Sequence, residues 1–304
     1  MTGLRDRLVD AGYAAGWGAV KALPEPLART AFDRAGARAA GRDGTGVRQL
    51  RANLRVATGL EGTELDALTR DALRSYARYW LEAFRLPTLG TGRVLRDTTV
   101  PGREHIEAAR VAGRPIVLAL PHSGNWDAAG VWFVDWLGEP FMTVAERLRP
   151  EQLYRRFLAY RESLGFRVVP LTGGERPSSA LLTEWLQAGR SVCLLVDRDL
   201  SAAGIPVDLF GRRSTMPGGP ALLAARTGAV LLPVVCTFDG PGWRLTVHPE
   251  VDVHGPGRLR DRVRAGTQGI ADAFTRGLAE RPVDWHQLGR VWADVPPDPP
   301  RAGR

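Results

Sequence analysis

The sequence has few cysteines and no long apolar run. Its two cysteines, Cys193 and Cys236, lie in separate apolar segments that predict buried strands. This pattern favours free thiols in a cytoplasmic protein over a disulfide framework or a nucleophile. No segment reaches the roughly 18 to 20 apolar residues that span a bilayer, so an integral membrane protein is not expected.

Motifs of several functional classes are also missing. The chain has no Gly-x-Ser-x-Gly elbow of a serine hydrolase and no His-Glu-x-x-His or clustered His/Cys spacing of a metal site. It has no helix-turn-helix, zinc or RNA-binding aromatic signature. The net charge of +8 therefore favours anionic lipid headgroups or the phosphates of coenzyme A over nucleic acid as partners. No metal and no cofactor are expected.

The most informative segment is RPIVLALPHSGNWD, residues 114–127. Its short apolar run without alternation predicts a strand covered on both faces in an α/β sheet. Ligand-binding groups collect at the carboxyl ends of such strands, where His122 lies. His122 is also the one histidine of five that has an aspartate, Asp127, five positions later. Ser123 or Asn125 can cap a following helix, whose amino terminus favours developing negative charge.

A histidine in this position suits general-base chemistry. Imidazole, with an ordinary pKa of about 6.5, is mostly neutral at pH 7 and can accept a proton. A carboxylate must orient the ring, and the sequence leaves two candidates open. Asp127 is the local one, and Asp197, at the end of the apolar run 192–196, is the distal one. The alternative is a capped, hydrogen-bonded loop histidine without chemistry.

Two other interpretations involve the same residues. Ser123 could be a nucleophile, but adjacent side chains rarely face each other, so a cap or loop hydrogen bond is favoured for its hydroxyl. His122 could instead bind a metal together with the carboxylates, because imidazole and oxygen ligands do combine. The carboxylates in that alternative are Asp127, Asp197 and Asp199.

The whole chain is predicted to be one α/β domain with a largely parallel central sheet wrapped by helices. Residues 1–90 form a helical N-terminal region, 91–292 an α/β catalytic core and 293–304 a loose tail. Helical patterns cover 4–21, 26–40, 47–58 and 64–86. Strands are expected near Val94, Ile116, Phe141, Val168, Val192, Val230 and Leu245, and helices near His105, Ala128, Leu153, Leu181, Leu222 and Arg262.

The first helix, 4–21, has the pattern of an interfacial helix. Its apolar residues, among them Leu4, Leu8 and Trp17, fall near helical spacing, with Arg5 and Lys21 available to lipid phosphates. The alternative is a helix packed on the protein's own core.

Four segments in order resemble a known family. They are HSGNWD (122–127), CLLVDRDL (193–200), FGRRSTMPGGPALLAARTGAVLLPV (210–234) and PVDWHQLGRVW (282–292). Together they look like bacterial lipid acyltransferases of the His-x4-Asp/Glu type, which include lipid A late acyltransferases and glycerol-3-phosphate acyltransferases. The lipid A enzymes usually carry glutamate at the position of Asp127, and the glycerol-3-phosphate enzymes a Pro-Glu-Gly-Thr block that is missing here. Both departures favour the actinobacterial phosphatidylinositol mannoside acyltransferases.

The resemblance implies a peripheral enzyme on the cytoplasmic face of the cell membrane. It would move a long fatty acyl group from acyl-CoA to a mannose hydroxyl of a phosphatidylinositol mannoside, without a covalent intermediate. A lipid A-like saccharolipid or a lysophospholipid is an alternative acceptor. A non-catalytic lipid-binding protein is an alternative from another class.

Arginines are the expected phosphate ligands, because the planar guanidinium matches phosphate oxygens and keeps its charge. All but one of the 41 basic residues are arginine, and Arg198, Arg212 and Arg213 lie nearest the proposed chemistry in sequence. The resemblance adds Glu146 and Arg161 to a polar headgroup pocket. Each of these could instead be a solvated surface charge. Ser123, Asn125 and Asp199 are further candidate substrate-binding residues.

Aromatic residues on the helix after His122 could line an acyl tunnel. They are Trp126, Trp132, Phe133 and Trp136. Ordinary core packing is the alternative for residues at such spacing.

Overall fold

The computed structural model describes residues 17–18, 20–147, 151–199 and 203–300. It confirms the predicted α/β class, with a mostly parallel central sheet and helices at the N-terminal end. Most of the predicted interfacial helix lies outside the described residues. At its described end, Trp17 donates from Nε1 to the Phe84 carbonyl (3.0 Å) and packs on the Phe84 ring. Trp17 therefore contacts the protein's own core.

Ten α-helices are numbered here in chain order within the described ranges. They are α1 (Glu25–Gly41), α2 (Thr45–Thr58), α3 (Gly62–Leu89), α4 (Thr91–Arg96), α5 (Arg103–Val111), α6 (Trp126–Leu137), α7 (Glu151–Ser163), α8 (Ser178–Gln187), α9 (Gly219–Thr227) and α10 (Leu259–Glu280). A short 3-10 turn, Pro282–Asp284, follows α10. None of the helices in these ranges has both the length and the apolar character needed to cross a membrane.

Seven strands form the central sheet, and two form a separate hairpin. The strands are β1 (Thr98–Thr99), β2 (Ile116–Leu120), β3 (Met142–Ala145), β4 (Arg167–Pro170), β5 (Val192–Leu195), β6 (Ile205–Leu209), β7 (Arg212–Met216), β8 (Val230–Asp239) and β9 (Gly242–Val247). The sheet order is β1-β9-β8-β2-β5-β3-β4, and only β8 and β9 are antiparallel neighbours within it. Strands β6 and β7 pair antiparallel outside this sheet.

Strand β2 is covered on both faces, as its unbroken apolar sequence predicts. Ile116, Leu118 and Leu120 pack in one hydrophobic cluster with α6. Val117 and Ala119 point to the opposite face, into a cluster that includes residues of α9 and α10. Because side chains alternate along a strand, the two clusters lie on opposite faces of the sheet.

Two sequence expectations differ from the structure. The strand predicted near Val94 is wrong, since Val94 lies in helix α4 and only the two-residue β1 follows. The expected loose tail is docked over residues 293–300: Val295 is buried, its carbonyl accepts from Gln49 Nε2 (3.2 Å), and Asp298 pairs with Arg51 and Arg55. The tail contains enough polar and apolar anchors to hold it against α2.

Candidate active site

Two neighbouring strands bring His122 and Asp197 together. In the parallel pair of β2 and β5, Leu120 lies opposite Leu195. The residues two positions beyond each strand therefore reach the same edge of the sheet. There the Nδ1 atom of His122 lies 2.6 Å from Oδ1 of Asp197. The His122 side chain is 31% exposed, whereas Asp197 is buried.

Two further side chains hold the Asp197 carboxylate in place. Its Oδ2 accepts hydrogen bonds from Trp285 Nε1 (3.0 Å) and Gln287 Nε2 (3.2 Å). Burial by itself would raise the pKa of Asp197, but His122 and Trp285 lower it below the ordinary value. A charged carboxylate accepts the Nδ1–H of His122, which leaves Nε2 with a free lone pair. This is the tautomer that a general base requires.

Asp127 takes a different position from the one its spacing suggests. Its Oδ2 accepts from the Tyr79 hydroxyl (3.1 Å), and its Oδ1 accepts from Arg161 Nε (3.2 Å). Burial and the adjacent Asp127 raise the pKa of Tyr79 well above its usual value, so its hydroxyl stays protonated and donates. Burial would lower the pKa of Arg161, but Asp127 raises it. Of the two candidate carboxylates, Asp197 thus contacts the imidazole and Asp127 holds Arg161.

Asn125 is structural, and it caps α6 as one of the two residues that the sequence allowed. Its Oδ1 accepts from the Ala128 N–H (3.0 Å), and its Nδ2 donates to Glu82 Oε2 (2.8 Å). The cap or loop hydrogen bond expected for the Ser123 hydroxyl is not found: this buried Oγ has no partner among the described residues. The main chain of Ser123 instead pairs with Trp285.

A cavity of about 490 Å³ opens beside His122. Its polar lining residues are His122, Glu146, Arg161, Arg198, His286 and Gln287. The remaining wall is largely aromatic and aliphatic, with contributions from Tyr76, Tyr79, Trp80, Trp126, Val144, Ala145, Tyr154, Phe157, Leu158, Val168, Leu171, Leu195 and Leu288. The cavity therefore combines the imidazole and several other polar groups with a large apolar surface.

Three other predicted residues lie near the end of β3 and β5. Glu146 and Arg198 both line the cavity and form an ion pair, with Arg198 Nη2 3.3 Å from Glu146 Oε2. Asp199 is not among the lining residues, and its Oδ2 accepts from the Gly204 N–H (2.8 Å). Within the described ranges, no three His, Cys, Asp or Glu side chains are grouped closely enough to hold a metal ion.

Arg212 and Arg213 do not reach this cavity. Both lie on the β6–β7 hairpin, and Arg212 pairs with the exposed Asp294 (2.7 Å). Arg213 lines a separate surface depression between the hairpin and α10. Their expected position close to the chemistry is therefore corrected: nearness along the chain did not translate into nearness in space, because β7 pairs outside the central sheet.

The aromatic residues of α6 divide between cavity and core. Trp126 lines the cavity, and its ring lies 5.4 Å from that of His122. Trp132 and Phe133 are buried in the core cluster on one face of the sheet, and Trp136 packs against the same cluster. The acyl-tunnel hypothesis thus fits Trp126 alone, and core packing explains the other three.

Sequence reasoning missed a second histidine in the site. His286 is 5% exposed, lines the cavity, and donates its backbone N–H to the His122 carbonyl (2.8 Å). Burial and the neighbouring His122 lower the pKa of His286 to about 3. The segment 282–292, already singled out by resemblance, also supplies Trp285 and Gln287. That likeness was the one available signal, since no local spacing links residue 286 to residue 122.

The chain matches the family described as bacterial lipid A biosynthesis acyltransferase over residues 6–294, and it belongs to that family. It is an acyltransferase. Its relatives include a protein named phosphatidylinositol mannoside acyltransferase from Mycolicibacterium smegmatis, 52% identical over 95% of this chain and 93% of the relative. A protein of the same name from Mycobacterium tuberculosis H37Rv is 50% identical over 93% of this chain and 88% of the relative.

Proposed function

We propose that this acyltransferase moves a fatty acyl group from acyl-CoA to a mannose hydroxyl of a phosphatidylinositol mannoside, with His122 as the general base. The observation that carries the proposal is the His122–Asp197 pair at the wall of a cavity that polar and apolar side chains line together. The names of the two mycobacterial relatives support the acceptor.

The proposed reaction is direct transfer. Nε2 of His122 takes the proton of the acceptor hydroxyl as that oxygen attacks the thioester carbonyl carbon. The tetrahedral intermediate collapses, the C–S bond breaks and coenzyme A leaves as a thiolate. Asp197 stabilises the transient imidazolium, which then returns its proton to the thiolate.

The other polar residues of the cavity would bind the substrates. Glu146 has carboxylate oxygens that suit sugar hydroxyls, whereas Arg161 and Arg198 suit phosphate. Asp127 holds Arg161 through Nε, and the guanidinium lines the cavity. The aromatic wall around Trp80 and Phe157 offers apolar area to an acyl chain.

We also propose that the protein acts as a peripheral protein on the cytoplasmic face of the membrane. The net charge of +8 attracts anionic headgroups, and Leu23 and Leu27 expose apolar side chains near the N-terminal end. Sedimentation with phosphatidylglycerol vesicles and with phosphatidylcholine vesicles tests this point. Binding should be stronger to the anionic vesicles and should weaken with salt, and equal binding to both would contradict it.

Purified protein incubated with palmitoyl-CoA and one acceptor at a time tests the activity. We expect acyl transfer to phosphatidylinositol mannoside. The family description favours a lipid A precursor as the second acceptor to examine, and a lysophospholipid is the third. Preference for either of these would overturn the proposed acceptor while leaving the chemistry intact.

The variant His122→Ala tests the base. General-base catalysis contributes about 10²–10⁴-fold, so turnover should fall by that factor while lipid binding and the unfolding midpoint are kept. Unchanged turnover in this variant would refute the mechanism.

A further inference from the structure

A buried amide on helix α2 holds the segment 287–289, which follows His286. Asn53 is fully buried, and its Nδ2 donates to the main-chain carbonyls of Gln287 (2.8 Å) and Gly289 (2.8 Å). Its Oδ1 accepts from Gln49 Nε2 (3.0 Å), so a reversed amide would lose three hydrogen bonds. Asn53 is not one of the described residues that line the cavity. It therefore fixes both ends of the segment 287–289 from outside the site.

The side chain of Gln287 leads from this segment to the His122–Asp197 pair. Its Oε1 accepts from the Gly289 N–H (3.0 Å), which orients the amide so that Nε2 faces Asp197. Nε2 donates to Oδ2 of Asp197 at 3.2 Å, while Oδ1 of the same carboxylate lies 2.6 Å from His122 Nδ1. Gln287 is buried. A continuous set of hydrogen bonds thus runs from Asn53 to the imidazole.

The donors to Oδ2 act on the proton of the pair as well as on its geometry. The N–H groups of Gln287 and Trp285 turn their positive ends towards the carboxylate, which favours its charged form over its protonated form. The same positive ends disfavour added positive charge on the adjacent imidazole. Loss of one donor therefore makes the imidazolium easier to form, and a protonated imidazole cannot act as a base.

We propose that Gln287 and Asn53 are positioning residues of the reaction: Gln287 holds Asp197 with Oδ1 towards the imidazole, and Asn53 holds Gln287. Neither residue needs to touch a substrate. The inference rests on the proposed role of His122 as the base. It adds two residues, on α2 and after α10, that no spacing along the chain connects with that base.

Gln287→Met tests the proposal, because methionine is also unbranched and of similar size but has no N–H donor. The acid limb of the kcat/KM profile should move to higher pH by roughly 0.5 to 1 unit. With palmitoyl-CoA and the mannoside, kcat/KM should fall about threefold at pH 7 and return towards the wild-type value at pH 8.5. Gln187→Met, at an exposed position at the end of α8, is the control. An acid limb at the wild-type pH in Gln287→Met overturns the proposal.

The other titratable side chains around the imidazole are the same in these variants. Those that line the cavity with His122 are Tyr76, Tyr79, Glu146, Tyr154, Arg161, Arg198 and His286. Because none of them is substituted, a shift of the acid limb reports the change at Asp197. A loss of activity through poorer folding alone would lower kcat/KM at every pH and leave the limb in place.

A double-variant comparison tests the part of Asn53. If Asn53 acts through Gln287, Asn53→Ala should move the acid limb in the same direction. The combined variant Asn53→Ala/Gln287→Met should then show no larger shift than Gln287→Met alone. Asn53→Ala should unfold at lower urea concentration, since two buried carbonyls lose their donor, and the kinetics are measured without urea. Shifts that add up in the combined variant would remove Asn53 from the proposal.

A 15N NMR titration of histidine-labelled protein needs no substrate, and the chain has only five histidines. His122→Ala assigns the signals of that ring. At pH 7 the protonated fraction of the ring should be larger in Gln287→Met than in the wild-type protein. If no acceptor is acylated, the proposed function fails and this titration still tests the positioning role. If the mannoside is acylated but Gln287→Met titrates like Gln187→Met, the proposed function survives and the positioning role is lost.

Discussion

The two acidic residues of the site have separate tasks at the scale of single side chains. Asp197 touches the imidazole, and Asp127 touches Tyr79 and Arg161. Asp197 keeps the proton of His122 on Nδ1, and Asp127 holds the Arg161 guanidinium at the cavity wall. Removing the charge of each carboxylate therefore has a different chemical consequence.

Asp197→Asn should reduce kcat by at least about 10²-fold, because an amide does not favour the Nδ1–H tautomer or stabilise an imidazolium. Asp127→Asn should instead raise KM, since it weakens the hold on Arg161. Steady-state kinetics with acyl-CoA and the mannoside distinguish the two effects. Asp135→Asn, an exposed position on the same helix as Asp127, is the control. A fall in kcat of the same size in both site variants would contradict this division.

The low pKa of His286 predicts how stability depends on pH. The unfolded chain binds a proton at this residue below about pH 6.5, but the native state does so only near pH 3. The neutral, buried His286 therefore contributes its full stabilisation to the native state above pH 6.5. This contribution to the free energy of unfolding falls by up to about 1.4 kcal/mol per pH unit as the pH falls from about 6.5 towards 3. In His286→Gln the free energy of unfolding should fall less between pH 6.5 and pH 4. Urea titrations measure this, with His254→Gln, at an exposed site, as the control. Equal slopes in wild type and His286→Gln would show that the residue is not buried in its neutral form.

At the scale of elements, the loop between β2 and α6 is set by close backbone contact. Gly124 has φ +54°, and a Cβ there would lie 2.7 Å from the carbonyl of Cys236 on β8. Its N–H donates to the Asp284 carbonyl (2.9 Å). The next residue, Asn125, begins α6 by capping it. The orientation of His122 therefore depends on Gly124, because a residue with a Cβ at this position would displace strand β8.

Gly124→Ala should destabilise the fold by more than about 3 kcal/mol and abolish activity, because both the φ angle and the contact with β8 are violated. Gly113→Ala is the matched control, with φ +63° but open space around the added methyl group. It should cost only about 1 kcal/mol and leave kcat unchanged. Urea unfolding of both variants measures the free energy of unfolding, and an activity assay measures kcat. Similar losses in the two variants would mean that close approach has no part in shaping the loop.

At the scale of the whole molecule, the site joins parts of the chain that are far apart in sequence. Helix α3 supplies Tyr79, the β2 end supplies His122, and the β5 end supplies Asp197. The segment after α10 supplies Trp285, Gln287 and His286. The end of the chain then returns to α2, where Asp298 meets two arginines.

Asp298→Asn should lower the free energy of unfolding by about 1–2 kcal/mol, because its side chain is 10% exposed and leaves Arg51 and Arg55 without their shared partner. Asp294→Asn removes an ion pair from a side chain that is 66% exposed, so the free energy of unfolding should fall much less than in Asp298→Asn. Urea unfolding of both variants checks the difference. Equal effects would indicate that residues 293–298 are not docked in solution.

The sequence by itself determined the local features of this protein. An apolar run without alternation predicts a strand covered on both faces, with His122 at its carboxyl end and the cap of the next helix at Ser123 or Asn125. The amphipathic periods of α2 and α3 likewise follow from local spacing. The sequence predicts these features because each of them depends on residues that lie only a few positions apart.

Only the tertiary structure decided which groups share the cavity. The pairing of β2 with β5 selected Asp197 over Asp127 as the partner of His122, and the separate hairpin removed Arg212 and Arg213 from the site. The return of the chain after α10 added His286, which has no sequence signal apart from family likeness. The strand order, the strand register and the course of the chain after α10 depend on how apolar faces that are far apart in sequence pack together. The spacing of residues along the chain does not predict them.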